Sequence, residues 1–231
     1  MKIHGFQKMT LLDYPGRVAC TVFTGGCNLR CPFCHNAALV TELNGADTFD
    51  NDEILNFLSG RKGLLDGVCI TGGEPLLQVD IAGFLRKIKN LGYSVKLDTN
   101  GTFPDKLCDL IEEGLVDYVA MDIKNSPEKY GETVGISGFD ISAVQRSVDL
   151  LKSGKVDYEF RTTVVKQFHK VEDFKAIGEF IKGAKRYYLQ NFVDSGNLIG
   201  KEEMCSVGEQ VLKEMQKTVS PFVDFVGIRG V

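Results

Sequence analysis

The sequence has no long hydrophobic run, and this absence removes two classes of protein. No apolar run approaches the roughly 18 residues that a membrane span needs. The opening residues MKIHGFQKMTLLDYPG also lack the apolar core of a secretory signal. We therefore expect no membrane partner and a cytoplasmic location for this chain of 231 residues.

Clustered positive charge is scarce as well. The formal net charge is −4, and the longest basic clusters are the pairs Arg61–Lys62 and Lys185–Arg186. Proteins that bind nucleic acid usually carry a stripe or patch of many lysines and arginines. The sequence therefore predicts no nucleic acid among its partners.

Cysteine is present, but not as a disulfide framework. A cytoplasmic chain keeps its thiols reduced, and the count of seven is odd. Cys27, Cys31 and Cys34 lie close together in a C-x3-C-x2-C pattern. Thiolates bind soft metals and iron–sulfur clusters, and near spacing lets one loop bind several corners of a cluster. Three ligands for four irons leave one iron open, which chemistry at a cluster requires.

Two simpler interpretations of the triplet stay open at this point. A structural zinc site would need a fourth ligand, for which His35 or His4 is available. An electron-transfer ferredoxin would have a fourth cysteine nearby, and the sequence around the triplet has none.

Short apolar segments alternate with amphipathic ones along the chain, which predicts βαβ units and a parallel sheet. Residues 17 to 200 hold about six units of about 30 residues, whereas a closed eight-unit barrel takes about 250 residues. We therefore predict an α/β fold with an open, partial (βα)6 TIM-like barrel in a single domain over 1–231. Its core covers about 17–200, and a C-terminal helix and strand cover about 201–231. The predicted strands are Arg17–Thr24, Gly67–Thr71, Ser94–Thr99, Tyr118–Ile123, Asp157–Thr163, Arg186–Gln190 and Phe222–Ile228, and the predicted helices are Asn51–Leu58, Val79–Asn90, Pro104–Glu113, Ser142–Lys152, Val171–Ile181 and Val207–Lys217.

Polar and glycine-rich segments follow the predicted strands, where parallel α/β folds bind their ligands. TGGEP at 71–75 offers paired glycines that let a ligand approach the backbone, although a plain strand-to-helix turn explains it equally well. DTNG at 98–101 places Asp98 and Asn100 at a strand end, with a solvated turn as the simpler alternative. Asp122 and Lys124 point to one face, where they could also form only an ion pair with each other.

Taken together, DYPG, VFTGGCNLRCPFCHN, TGGEP, DTNG and MDIK resemble motifs of the radical S-adenosylmethionine (SAM) superfamily, over residues 3 to about 192. More narrowly, they are similar to the glycyl-radical-enzyme activating family, in particular to the activating proteins of anaerobic ribonucleoside-triphosphate reductase. The resemblance implies an enzyme with one 4Fe–4S cluster on Cys27, Cys31 and Cys34, and with SAM bound at its open iron. It implies no catalytic residue beyond the cluster and SAM. The SAM contacts that it implies are Phe33, Cys34, His35, Gly72, Gly73, Glu74, Asp98, Asn100, Asp122 and Lys124.

The same resemblance implies two protein partners: a glycyl radical enzyme as substrate, and a flavodoxin- or ferredoxin-type electron donor. Some activases have a histidine that contacts SAM where this chain has Gln190 and Phe192, so that contact is open. A small-molecule radical SAM enzyme such as a 7-carboxy-7-deazaguanine synthase is the main alternative. A non-enzymatic iron–sulfur or zinc-binding scaffold is an alternative of another class.

Overall fold

Eight strands form one sheet, and their order in the sheet follows their order in the chain. A computed structural model describes residues 1–194 and 196–230. β1 runs antiparallel to β2, with Phe6 opposite Val22, and every later pair of neighbouring strands is parallel. The strands are β1 Ile3–Thr10, β2 Ala19–Thr24, β3 Gly67–Gly72, β4 Ser94–Thr99, β5 Tyr118–Asp122, β6 Asp157–Val164, β7 Tyr187–Asn191 and β8 Val226–Arg229.

The sheet is an open barrel, because β1 and β8 stand at the two ends of the strand order within the described residues. Six βα units run from β2 to β7, which confirms the predicted open (βα)6 architecture. In the part of the chain that the structure describes, no helix is both long enough and apolar enough to span a bilayer. The helices are α1 Ala38–Thr41, α2 Asn51–Ser59, α3 Ile81–Asn90, α4 Pro104–Glu112, α5 Tyr130–Thr133, α6 Ser142–Lys152, α7 Asp173–Phe180 and α8 Glu209–Val219, with 3-10 turns at Pro75–Leu77, Pro127–Lys129 and Ser220–Phe222.

The longer helices pack on the outer face of the sheet through an apolar stripe. In α3, the buried residues Ile81, Phe84, Leu85 and Ile88 recur at the spacing of one helix face. Burying a side chain of this size contributes about 1.5–3 kcal/mol, so a polar residue in place of Phe84 would weaken the packing of α3 on the sheet. Two basic residues in the last turn complement the helix dipole.

Tyr14 fills the interior of the barrel at the amino ends of the strands. Its side chain is 3% exposed and packs with Ala19, Ala120 and Tyr118, whose ring centroid lies 6.0 Å away. Ala19 and Ala120 are small enough to admit the ring. Gly67 serves the same purpose, because a Cβ there would lie 2.9 Å from the Tyr14 ring. The DYPG motif by itself does not predict that Tyr14 fills this end of the barrel.

Three expectations about the elements were incomplete. β1 was not predicted, because only its two end residues are buried and it therefore lacks the alternation of a half-buried strand. The last strand was predicted as Phe222–Ile228 and is found at Val226–Arg229, because Pro221 lies in a 3-10 turn. The short helices α1 and α5 have four residues each and carry no periodic signal.

Candidate functional site

The three cysteines of the triplet lie on the loop that follows β2, and they line one cavity of about 170 Å³. Cys27, Cys31 and Cys34 are free thiols. The main chain folds the loop back on itself: the Cys34 N–H donates to the Cys31 carbonyl at 3.1 Å. The Leu29 N–H lies 3.4 Å from Cys27 Sγ and can donate to that sulfur. The loop therefore presents three sulfur ligands to a single space.

Later segments of the chain hold this loop in place. The Arg30 guanidinium donates to the carbonyls of Cys27 and Leu29 at 2.7 and 2.8 Å, and the Arg30 N–H donates to the Val134 carbonyl at 2.9 Å. On the other side, the Gly200 N–H donates to the Pro32 carbonyl at 2.8 Å. The shape of the loop thus depends on contacts far away in sequence.

The donor set fits an iron–sulfur cluster. Burial raises the pKa of all three thiols, that of Cys31 to about 12, so they become thiolates only when a cation compensates their charge. Within 1–194 and 196–230, no group of three or more His, Cys, Asp or Glu side chains is placed to hold a single metal ion. A cube-shaped cluster is instead bound at separate corners, and three thiols around one cavity offer such corners.

Gly72 and Gly73 bring the end of β3 into contact with the cysteine loop. Gly72 has a φ of +121°, and a Cβ there would collide with the backbone of Thr24. A Cβ on Gly73 would collide with the carbonyl of Gly26. The glycines are therefore needed for backbone contact within the protein, whatever ligand they also approach. The Gly72 carbonyl accepts a hydrogen bond from the Asn36 side-chain amide at 2.9 Å.

Glu74 is fully buried and ties the TGGEP and DTNG segments together. Its carboxylate accepts hydrogen bonds from Thr99 Oγ1 at 2.9 Å, the Asn100 N–H at 2.7 Å and the Leu76 N–H at 3.0 Å. Burial raises the pKa of Glu74 to about 7, while these three donors favour the ionised form. The predicted role as a SAM contact thus competes with a positioning role, because protein donors already occupy both oxygens.

Asn100 connects the DTNG segment to the cysteine loop. Its side-chain amide donates to Asn28 Oδ1 at 3.0 Å and lies 3.8 Å from Cys27 Sγ. Its side-chain oxygen accepts from the Thr102 hydroxyl at 2.6 Å, and Asn28 in turn donates to the same hydroxyl at 2.9 Å. This closed network fixes the amide against the first cysteine.

Oppositely charged side chains alternate across the next three strand ends. Arg161 donates to Asp98 at 3.3 Å and to Asp122 at 3.0 Å, and Lys124 donates to the other oxygen of Asp122 at 2.9 Å. Burial alone would raise the pKa of Asp122, but Lys124 and Arg161 lower it to about 2. Burial likewise disfavours the charged form of Lys124, but Asp122 holds the pKa of Lys124 above its usual value. All these groups are therefore charged near neutral pH.

The sequence analysis did not predict two basic residues of this charged group, Arg161 and Lys96. Arg161 directly pairs with Asp122 in the register of β5 and β6. Lys96 is 2% exposed and contacts Asp98 on the side away from Arg161. Both side chains alternate inward from their strands, so the period-two pattern of β4 and β6 was the signal that could have revealed them.

Most of the predicted site residues share the cysteine cavity, but Phe33, His35 and Glu74 are not among the residues that line it. Phe33 is buried against Phe168 behind the loop, with ring centroids 5.5 Å apart. His35 stacks on Phe192 at 5.2 Å and lines a neighbouring cavity with Gln190. The predicted site residues that do line the cysteine cavity are Cys27, Cys31, Cys34, Gly72, Gly73, Asp98, Asn100, Asp122 and Lys124, and Arg161 lines it as well.

A second and larger space, which we call the lateral cavity, adjoins the first. It measures about 550 Å³ and shares Asp98 and Arg161 with the cysteine cavity. Leu12, Asp13 and Pro15 of the loop after β1 line one side of it. Arg229 and Gly230 at the end of β8 line another side, so the lateral cavity lies between the two edge strands.

Comparisons with known proteins identify the family of this chain. Residues 21–181 match the family model of the radical SAM superfamily. A Methanocaldococcus jannaschii protein, provisionally named a glycyl-radical enzyme activating enzyme, is 33% identical over 235 residues, covering 99% of this chain and 96% of its own length. The pyruvate formate-lyase-activating enzyme of Clostridium pasteurianum is 27% identical over 210 residues, covering 82% of this chain and 87% of its own.

Solved structures share the fold at low sequence identity. Streptococcus suis SuiB bound to precursor peptide SuiA has a TM-score of 0.71 at 14% identity, covering 91% of this chain and 48% of the SuiB chain. A domain of pyruvate-formate lyase-activating enzyme from Bacteroides vulgatus has a TM-score of 0.57 at 15% identity, covering 71% of this chain and 99% of that domain. With the family match over residues 21–181 and the relative that spans nearly its whole length, the chain belongs to the radical SAM superfamily and, within it, to the glycyl-radical-enzyme activating family.

Proposed function

We propose that this radical SAM enzyme generates a glycyl radical on anaerobic ribonucleoside-triphosphate reductase. The observation that carries the proposal is that the two cavities lie side by side. The space lined by the three cysteines shares Asp98 and Arg161 with the lateral cavity, which lies between the edge strands β1 and β8. We infer that a segment of another protein approaches the site from this open side of the barrel.

The residues present fit the cofactors of the superfamily, a 4Fe–4S cluster and SAM. Cys27, Cys31 and Cys34 would hold the cluster. When bound, the cluster and SAM supply a one-electron cleavage of the SAM C5′–S bond, which gives methionine and a 5′-deoxyadenosyl radical able to take a hydrogen atom from a glycine Cα. The side chains that would hold SAM are those around the rest of the cavity: Asp98, Asn100, Asp122 and Lys124, with the backbone of Gly72 and Gly73.

Lys124 is suited to bind the carboxylate of an amino-acid group. Lys124 is held at two points. Asp122 accepts a hydrogen bond from its ammonium group at 2.9 Å, and His169 Nε2 lies 2.8 Å from its backbone carbonyl oxygen. An ammonium carries three donors, so the pair with Asp122 leaves donors for a ligand. The interaction is strengthened because the Lys124 side chain is only 16% exposed.

Arg161 keeps the carboxylates of Asp98 and Asp122 ionised and apart. Two carboxylates that face one cavity would otherwise repel each other and take up a proton. Held this way, they can accept hydrogen bonds from hydroxyl or amino groups of a ligand. Leu29 and Val40 form the apolar part of the wall and limit the access of water.

The relatives suggest a second protein substrate. The C. pasteurianum relative carries the name of a pyruvate formate-lyase-activating enzyme and aligns with 82% of this chain, which favours pyruvate formate-lyase as the alternative partner. The small-molecule alternative has weaker support: GTP 3′,8-cyclases match over 40% to 64% of this chain and 27% to 48% of their own length. In all these cases we propose a flavodoxin- or ferredoxin-type protein as the electron donor.

An electron paramagnetic resonance experiment tests the proposal. Anaerobically reconstituted and reduced protein is mixed with SAM and with either purified reductase or purified pyruvate formate-lyase. We expect a doublet signal on the reductase, lost when its C-terminal glycine is replaced by alanine. A doublet signal on pyruvate formate-lyase alone would show that the lyase, and not the reductase, is the partner. Partner-independent turnover of a small heterocycle, with its deuterium recovered in 5′-deoxyadenosine, would contradict the activase function.

A further inference from the structure

His169 is a buried histidine whose two ring nitrogens both have partners inside the protein. It lies in the turn that follows β6, and only 3% of it is exposed. Nε2 lies 2.8 Å from the carbonyl oxygen of Lys124, and the Val165 N–H donates to Nδ1 at 3.1 Å. Because both nitrogens are already engaged, His169 is not available as a base or as a metal ligand.

The two partners define which ring nitrogen carries the proton. A carbonyl oxygen only accepts, so Nε2 carries a hydrogen atom, and a main-chain N–H only donates, so Nδ1 carries none. Burial also lowers the pKa of His169, which favours this neutral form. His169 therefore donates one hydrogen bond through Nε2 to the main chain of Lys124.

The main chain at Lys124 depends on such contacts, because this residue lies beyond the end of β5. The end of β6 and the turn after it hold the residues on both sides. The Thr162 hydroxyl donates to the Ile123 carbonyl at 2.6 Å, and the Asn125 side-chain amide donates to a carbonyl of the turn at 3.0 Å. Three consecutive residues are thus fixed, and His169 fixes the middle one.

His169 also contacts the cysteine loop. The ring of Phe33, which lies within the cysteine triplet, has its centroid 6.4 Å from that of His169 in an edge-to-face arrangement. The same ring packs against Phe168 at 5.5 Å. The cysteine loop and Lys124 therefore share one buried neighbour, and the position of that neighbour affects how Lys124 is placed relative to the cysteines.

We propose that His169 is a positioning residue for SAM binding. Its Nε2–H fixes the main chain of Lys124, so that the Lys124 ammonium is held in place for the carboxylate of SAM before SAM binds. The inference rests on the SAM contact proposed above for Lys124, and it adds a residue that acts on SAM only through that lysine.

The test measures the SAM dissociation constant by titration calorimetry on anaerobically reconstituted protein. His169→Gln keeps an amide nitrogen that can donate to the Lys124 carbonyl, whereas the shorter side chain of His169→Asn keeps only an acceptor for Val165. The dissociation constant should rise roughly five- to ten-fold in His169→Asn, as expected for the loss of one hydrogen bond. In His169→Gln it should stay within about two-fold of wild type. The iron content should not change in either variant.

Tyr93→Phe is a matched control. Tyr93 is buried, and its hydroxyl donates to the Leu58 carbonyl at 2.7 Å, outside the cysteine cavity. This substitution removes the same kind of hydrogen bond and should lower the free energy of unfolding, but it should leave the SAM dissociation constant unchanged. In a Lys124→Ala background, His169→Asn should weaken SAM binding no further, because it acts through Lys124.

The contrary results are distinguishable. A SAM dissociation constant for His169→Asn equal to that of wild type, or an equal rise in His169→Asn and His169→Gln, overturns the positioning role. A further rise in the Lys124→Ala background, or a loss of iron, assigns His169 to the cysteine loop alone and also overturns it. If Lys124→Ala leaves SAM binding unchanged, the contact proposed for Lys124 fails and the inference fails with it.

Two features keep the test decisive. If His169→Asn does not fold, a clear rise of the SAM dissociation constant in His169→Gln still overturns the positioning role. The titration contains no partner enzyme, so its outcome is independent of whether a glycyl radical forms on the reductase, on pyruvate formate-lyase or on neither.

Discussion

Arg161 and Asp122 are partners in the parallel register of β6 and β5, and Arg161 Nε lies 3.0 Å from Asp122 Oδ1. The same guanidinium reaches Asp98 on the strand beyond. One buried cation therefore neutralises carboxylates from two strands. This arrangement lets the cavity keep two ionised acids within reach of a ligand without losing the fold.

The first prediction concerns the cysteine ligands. Anaerobically reconstituted protein should bind about four irons per chain, and Cys27→Ala, Cys31→Ala or Cys34→Ala should each abolish this binding, because three ligands are the minimum for the cluster. Cys108→Ala is the control, since Cys108 lies on α4 away from the cavity. Iron and sulfide analysis measures the outcome. Stoichiometric zinc in place of iron would favour the structural zinc site.

The second prediction concerns SAM affinity. Lys124→Ala should weaken SAM binding and leave the iron content unchanged, because a charged donor is lost but no cluster ligand is. A charge-assisted hydrogen bond contributes about 1.5–3 kcal/mol, so the dissociation constant should rise roughly ten- to one-hundred-fold. Lys129→Ala is the control, since its ion pair with Asp173 lies outside the cavity. Titration calorimetry measures both dissociation constants. If Lys124→Ala and Lys129→Ala change the SAM dissociation constant equally, Lys124 does not bind SAM and forms only an ion pair with Asp122.

The third prediction concerns Tyr14. Tyr14→Ala should lower the free energy of unfolding by about 3–5 kcal/mol, as for other large aromatic side chains removed from a core. Tyr14→Phe keeps the ring, so its free energy of unfolding should fall much less. Equilibrium unfolding in denaturant under reducing conditions measures both. Similar values for the two variants would show that the ring contributes little to the packing at the amino ends of the strands.

The fourth prediction concerns pH. Burial would raise the pKa of Glu159, which is 1% exposed on its side chain, but Arg229 lowers it below its usual value. Because the pKa of Glu159 is lower in the folded state than in the unfolded state, its ionisation stabilises the fold above the unfolded-state pKa of about 4.3. This stabilisation is lost as the pH falls through the folded-state pKa. In Arg229→Gln this ion pair is absent, while Arg161 and Tyr118 still favour ionised Glu159. The gain in stability above about pH 4.3 should therefore be smaller than in wild type.

Free energies of unfolding measured from pH 4 to 7 distinguish the pH dependence of wild type from that of Arg229→Gln. Arg146→Gln is the control, because its pair with Asp105 is exposed and contributes little. Parallel pH profiles for wild type and Arg229→Gln would show that Arg229 does not set the ionisation of Glu159.

The sequence predicted those parts of the site whose signal is local. The cysteine spacing and the apolar strands are contiguous patterns, so the cysteine triplet and the open α/β barrel could be predicted without a structure. The fold is confirmed, and the ligand role of the triplet stays a prediction. Arg161 and Lys96 could not be assigned, because their partners depend on the register between strands. The role of Glu74 was also inaccessible, since its three donors come from two different segments.

The anchoring of the cysteine loop has a consequence for biosynthesis. The loop leaves the ribosome early, but the residues that brace it are made much later: Val134 bonds to Arg30, and Gly200 bonds to Pro32. Chains grow at about 5–20 residues per second, so for roughly 8 to 33 seconds the three thiols are exposed on a nascent chain with no fixed arrangement. We therefore expect cluster insertion to follow translation of the final βα unit, and a chain truncated before Gly200 to accept iron poorly.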